Sequence, residues 1–249
     1  LIKLFFRGRL IVEVGASTGT LMAFDKRNGQ TRWSSRVSQP AGHTAGPVPM
    51  FVEGNPCIAV LHLNGLLVAR TDEGHGGETV AEYPWPTDYA NNIASPTVRE
   101  NHVLITSGYN QNKMANLRIT LRGAEKVWEQ GHVSQICTPV VHGGKIYWSW
   151  ERMHCVDEET GALTWKGDSL GEAGSCIITS DDRLIIWTGR GTLTLVETAK
   201  RSPSAYQRLF QTQLLEQTDA WPHVVLADGR LFCKDRAGNL VCLSLRHER

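Results

Sequence analysis

Two stretches far apart in this chain share one pattern. AFDKRNGQTRW at 23–33 and CVDEETGALTW at 155–165 both read small–apolar–Asp–x–x–x–Gly–x–x–x–Trp. Their aspartates lie 132 residues apart, three steps of 44. A second series fills in the steps. A turn residue precedes an apolar strand at Gly8, Gly54, Asn101, Gly144, Asp182 and Gly229, with gaps of 46, 47, 43, 38 and 47. One such unit cannot bury its apolar face alone. Repeats of about 40–50 residues built from short strands point to a β-propeller with four strands per blade.

The fourth repeat shows the four strands: CTPVVHG first, KIYWSW second, RMHCVD third and ALTWKG outermost. Turn residues separate them, and β-branched residues are frequent. The longest helical candidate, 202–216, contains YQRLFQTQ where an outer strand is due. The expectation is therefore an all-β chain, residues 1–249 forming a single propeller domain with about six antiparallel blades. The sixth blade ends at LVCLSL without an outer strand, and an open sheet edge is a liability. Two closures are open: a larger ring of up to eight blades with N-terminal blades missing here, or six blades closed more loosely.

Charge and cysteine usage narrow the function. Lys+Arg is 26 and Asp+Glu 25, a net charge of +1. No basic excess exists to neutralise phosphates, so nucleic acid is not expected as a partner. No apolar run approaches the ~20 residues of a membrane helix. No secretory signal is visible, but the chain opens at Leu1 in what reads as strand, so this says nothing about export. The six cysteines form no CxxC and no zinc-finger spacing, so no metal site is expected.

The repeat motif resembles the tryptophan-docking repeat of the PQQ-like family, which includes quinoprotein alcohol dehydrogenases and BamB-like assembly proteins. The resemblance covers the whole chain. The runs SPTVRENHVLITSGYN and ADGRLFCKDRAGNLVCLSL resemble large exported planctomycete-type members. The resemblance implies that Trp33, Trp128 and Trp165 dock between neighbouring blades. Blade two departs, with Ala81 in that position and Tyr83 and Trp85 nearby, and blade five offers Phe210. It also implies a periplasmic or secreted location.

The same resemblance raises PQQ- and calcium-dependent alcohol oxidation. Those dehydrogenases carry adjacent cysteines beside the cofactor, and this sequence has no Cys-Cys dipeptide. Asp25 and Asp157 read as turn-capping residues. GASTG at 15–19 matches G-x-S-x-G, but that elbow needs a following helix and TLMAFD reads as strand. No catalytic residue, metal or cofactor is expected. A WD40-type hub is disfavoured because no Trp-Asp dipeptide follows the Gly-His pairs. Cys155 and Cys242 share the position of Ala23, where a small buried residue is wanted. A two-residue turn at Ala237-Gly238 would place Cys233 opposite Cys242. A disulfide there is open for an exported protein, with free thiols the expectation.

The best functional signal lies in the loops joining second to third strands and outer strands to the next blade. They carry His43, Tyr89, Asn91, Asn92, Tyr109, Asn110, Gln111, His132, Gln135 and Trp221. Asn and Gln offer donors and acceptors together, and Tyr and Trp add flat area. The mix suits a protein, peptide or carbohydrate partner. The plain alternative is that Asn and Gly simply make turns. The reading is a non-catalytic binding or assembly scaffold.

Overall fold

Six antiparallel sheets follow one another along the chain, each built from consecutive strands. The structure, a computed structural model, describes residues 3–43, 45–172, 174–216 and 219–245. The first sheet holds β1 (Lys3–Phe6), β2 (Arg9–Ala16), β3 (Gly19–Asp25) and β4 (Thr31–Ser34). The second holds β5 (Val48–Val52), β6 (Asn55–His62), β7 (Gly65–Arg70) and β8 (Thr79–Pro84). The third holds β9 (Thr97–Arg99), β10 (His102–Ser107), β11 (Lys113–Thr120) and β12 (Gly123–Gln130). The fourth holds β13 (Val140–His142), β14 (Lys145–Asp157) and β15 (Leu163–Gly171). The fifth holds β16 (Gly174–Ile178), β17 (Arg183–Thr188), β18 (Thr192–Glu197) and β19 (Arg208–Gln213). The sixth holds β20 (Val225–Ala227), β21 (Arg230–Lys234) and β22 (Leu240–Ser244). Among the described residues the one helical segment is a 3-10 turn at Asp88–Ala90. The chain divides into two compact units, Leu1–Gln135 with the first three sheets and Ile136–Arg249 with the last three.

Turn chemistry sets the first hairpin in four of the six sheets. Arg7-Gly8, Glu53-Gly54, Gly143-Gly144 and Asp228-Gly229 all have positive φ. They close two-residue hairpins whose flanking pairs are Phe6↔Arg9, Val52↔Asn55, His142↔Lys145 and Ala227↔Arg230. Two positive φ angles in a row make the turn twist that matches paired strands. Asp25 and Asp157 cap the turns between third and outer strands. Asp25 Oδ1 accepts from Arg27 N at 2.9 Å, and Asp157 Oδ1 from Thr160 N at 3.0 Å. Hydrogen bonds from Arg32 and Arg27 hold the Asp25 carboxyl well below the usual carboxylate range.

The fourth sheet carries its second and third strands in one element. β14 doubles back about Glu151, whose φ is 56°. Lys145 Nζ meets Asp157 Oδ2 at 3.0 Å, and the Trp148 ring stacks on His154 at 4.6 Å. Glu158 N donates to Gly144 O at 3.0 Å, closing the hairpin. In the sixth sheet the order is β20-β21-β22, and no described strand pairs with the far edge of β22.

A register slip recurs where third and outer strands meet. It falls after Ala23, Val68, Asn116, Cys155 and Leu195. The partners at those points are Trp33, Ala81, Trp128, Trp165 and Phe210. The extra residue is the one before each partner: Arg32, Val80, Val127, Thr164 and Leu209. Such β-bulges bend the strand and increase its twist.

Burial explains the apolar strands. The second sheet is covered on both faces, so β6 and β7 read as near-continuous apolar runs rather than alternating ones. Ile58, Val60, Leu67 and Ala69 pack with Ile11, Leu21 and Ala23 of the first sheet. Cys57, Ala59, Leu61, Leu66 and Val68 face the other way, onto Val103, Ile105, Ala115 and Leu117 of the third. In the second unit, Ile185, Trp187 and Leu193 pack with Leu231 and Cys233. Each such aliphatic side chain contributes about 1.5–3 kcal/mol relative to exposure.

The expected facing of Cys233 and Cys242 does not occur. Cys233 pairs with Val241, and Cys242 with Phe232. The connection runs over five residues, 235–239, because Asp235 pinches it: Asp235 N bonds Asn239 O and Asp235 Oδ1 accepts Asn239 N. That odd length moves the register by one residue, and a one-residue shift puts the side chains on opposite faces. Cys233 is buried and Cys242 exposed, so Cys242 also departs from the buried role expected of the Ala23 position.

Candidate functional site

Within the first unit, the loops after β2, β4, β6, β8, β10 and β12 gather over a buried polar core. Asn92 is its centre. The residue is fully buried, and its Nδ2 donates to His62 O at 2.7 Å, Leu63 O at 3.3 Å and Trp85 O at 3.3 Å. Its Oδ1 accepts from Ser107 Oγ at 2.6 Å, and Ser107 Oγ accepts from Trp85 Nε1 at 3.1 Å. Its backbone O accepts from His43 N at 3.1 Å. Asn92 thereby ties the connections after β4, β6 and β8 to the end of β10, giving partners to buried polar groups that need them.

Gly42 fits into this core because it has no side chain. A Cβ there would lie 2.5 Å from Leu61 O and 3.0 Å from Asn92 O. Gly42 N donates to Glu13 Oε1 at 3.0 Å. Glu13 is buried on β2, and burial pushes its carboxyl up to about 7. His62 is also buried, and desolvation pushes its imidazole down to about 4. Its Nδ1 accepts from Asn64 N at 3.2 Å. His62 is therefore neutral at physiological pH, while Glu13 titrates near it.

Above the core lies an exposed rim. Asn110 Nδ2 donates to Asp88 Oδ1 at 3.0 Å, and Asp88 N donates to Tyr109 O at 3.2 Å. Gln111 Nε2 bonds Pro86 O. Tyr89, Tyr109 and Asn110 all have positive φ, at 60°, 50° and 74°. For residues with a Cβ this is an uncommon conformation, held here by the loop-to-loop bonds. Tyr89 is 87% exposed. His43 is exposed, Asn91 and His132 are half-buried, and the Gln135 side chain packs against Gly108. Ser134 N donates to Thr106 Oγ1 at 3.0 Å, anchoring the loop that carries His132 and Gln135.

Nine of the ten loop residues named from the sequence thus lie in this unit. Trp221 belongs to the other unit, 40% exposed, with the Arg236 guanidinium 4.3 Å over its ring. Sequence reasoning missed Glu13, His62, Ser107 and Asp88. A lone acid within the apolar strand RLIVEVGA was the available signal for Glu13.

The three repeat tryptophans lie on the last strands of their sheets, β4, β12 and β15. Trp165 is 5% exposed and meets Tyr206 of the connection between β18 and β19 edge-on at 5.8 Å. Trp33 is half-buried, and a Cβ on Gly76 would lie 2.2 Å from its ring. Trp128 is 8% exposed. Ala81 is buried, whereas Phe210 is 55% exposed. Ser17 is exposed in the turn between β2 and β3, two strands with no helix following.

The rim offers amide donors and acceptors, a carboxylate and two phenol rings. Among the described residues no three His, Cys, Asp or Glu side chains converge as metal ligands would, and no helix is long and apolar enough to cross a membrane.

A family model described as the outer membrane protein assembly factor BamB matches residues 4–167, well over half of the chain. BamB from Moraxella catarrhalis is similar in structure, with a TM-score of 0.68 over 98% of this chain and 72% of that one, at 12% identity. The computationally designed Ika8 protein is similar with a TM-score of 0.70 over 98% and 70%, also at 12% identity. No curated protein matches. At such identity the structural likeness shows the fold, an all-β propeller.

Proposed function

Since this chain belongs to the BamB family of PQQ-like repeat proteins, we propose that it is a non-catalytic scaffold binding a protein partner through its loop face. One observation carries the reading. Tyr89 stands 87% exposed in a left-handed conformation, on a rim fixed from beneath by the buried Asn92 amide. An exposed aromatic carried on a bonded loop costs less backbone ordering on binding than one on a loose loop. The description of the family as assembly factors supports a protein over a sugar. It also supports a periplasmic or secreted site of action. Trp33, Trp128 and Trp165 serve the fold in this reading, as docking side chains between blades.

Calcium and a quinone have no part in this reading. The sequence has no adjacent cysteines, and no trio of ligating side chains converges among the described residues. Fold alone does not assign an activity.

The test is site-specific photocrosslinking in the native host. A photoreactive residue at Tyr89 should capture a discrete protein, and one at Asn28, in a turn between strands of the first sheet, should not. Equal capture at both positions, or at neither, would count against the loop face. Dye-linked alcohol oxidation after addition of PQQ and calcium would overturn the non-catalytic reading.

A further inference from the structure

The first unit also has a charged cleft. The turns after β1 and β3 and the connection after β7 line about 690 Å³ of space. In antiparallel sheets those connections sit at the other strand ends from the loops after β2 and β6, so the cleft is separate from the Tyr89 rim. Its basic side chains are Arg7, Arg9, Lys26, Arg27 and Arg32. Its acids are Asp25, Asp72 and Glu73. That leaves an excess of two positive charges, in a chain whose net charge is only +1. A cleft of about 530 Å³ elsewhere in this unit sets Arg118 and Arg122 against Glu53 and Glu125, with no excess.

The contacts of these groups show which cations are committed. Asp25 meets Arg32 at 2.6 Å and Arg27 at 3.4 Å, and Asp72 meets Arg70 at 2.5 Å. Arg9 donates to Thr71 O. Arg7 and Lys26 make no ion pair among the described residues. The Arg7 guanidinium lies 5.7 Å from the Phe6 ring centre and 5.6 Å from that of Phe51. Stacking on ring faces orients a guanidinium and leaves its in-plane N–H donors available. Lys26 N donates to Gly8 O at 3.4 Å, which holds the two turns together. Trp33 adds an aromatic wall.

We propose that this cleft binds the phosphate group of a small phosphomonoester. Its volume is that of a small-molecule site, about 300–1,000 Å³. A lining of charged rather than apolar side chains selects a strongly charged ligand. A phosphomonoester brings about −1.5 to −2 charges at pH 7, which matches the excess, and three acceptor oxygens. A guanidinium fork meets such oxygens two at a time, and a lysine meets them as a point charge. The rest of the ester is a soluble molecule or the diacylglycerol of a phosphatidate, because the group recognised is the same.

Two measurements on the whole chain test this and separate the sources. Calorimetric titration with phenyl phosphate reads the soluble source. Co-sedimentation with phosphatidylcholine vesicles containing phosphatidate reads the lipid one. Saturable binding is expected in at least one arm, with phenol and pure phosphatidylcholine vesicles left unbound. Arg7→Gln/Lys26→Gln should weaken it at least about tenfold. Lys26→Gln alone should give a smaller loss, and Arg118→Gln/Arg122→Gln none. All four side chains are exposed, so the variants should keep the circular dichroism of the parent. No binding in either arm would overturn the proposal. So would equal binding of phenol, a folded Lys26→Gln or Arg7→Gln/Lys26→Gln variant that binds as the parent does, or equal losses in the two double variants.

Discussion

Ser107 Oγ and Asn92 Oδ1 meet at 2.6 Å beneath the loops of the first unit, both side chains buried. Asn92→Ala removes that acceptor and the donor to three carbonyls at once. An unsatisfied buried polar group costs about 1–3 kcal/mol. Asn92→Ala should therefore lower the unfolding free energy by at least that much, read as a lower urea midpoint at unchanged m. Asn91→Ala, one residue away and half-buried, should move it far less. Equal effects at the two sites would refute the hub.

Glu13 should make stability depend on pH. Its carboxyl is raised from 4.5 to about 7 by burial, so the folded state holds its proton more tightly than the unfolded one. Stability from this group is full below about pH 4.5, falls as pH rises to 7 and is flat above. The span corresponds to about 3 kcal/mol as an upper bound. Glu13→Gln should keep an acceptor for Gly42 N and flatten this part of the profile, gaining stability at pH 8. A variant no more stable than the parent at pH 8 would contradict the assignment.

Trp165 and Phe210 occupy the same repeat position with opposite burial. Trp165→Ala should cost about 3–5 kcal/mol, as for other buried aromatics. Phe210→Ala should stay within about 0.5 kcal/mol, as an exposed substitution does. Trp165 Nε1 is buried without a hydrogen-bond partner, so Trp165→Phe should recover most of the loss. Denaturant unfolding of the three variants decides this.

Cys242 is the one exposed cysteine of the six. In the folded protein a maleimide should modify one thiol quickly, and Cys242→Ser should abolish that fast reaction. Two fast thiols would mean that one of the five buried cysteines is accessible after all.

Much of the fold was legible in the sequence because it is written in backbone chemistry. Gly8, Gly54 and Gly229 mark hairpins through positive φ, and Asp25 and Asp157 cap their turns through side-chain oxygens. Such signals are local and survive without tertiary information. The pairing of Cys233 was not legible, since it depends on whether two or five residues cross the turn. Asp235 decided that with its own side chain. The site was legible only as a set of loops. Asn91 and Asn92 are indistinguishable in sequence, yet one is half-buried and the other ties three connections to the end of β10. Glu13 escaped notice because its burial depends on a glycine 29 residues away.

The register slip behind the docking positions has a consequence for how this repeat can drift. The slip is the same whether the slot holds an indole, a phenyl ring or the methyl of Ala81. Selection can therefore discard the signature side chain in one blade while keeping that blade's geometry. Comparison by residue identity would count three of these five units, and comparison by register counts them all. Deleting Val80 would be the harsher change, since it removes the offset rather than the filling. Thr79 and Ala81 would then face Ala69 and Val68 in an unbroken ladder, without the bend and added twist that the bulge supplies.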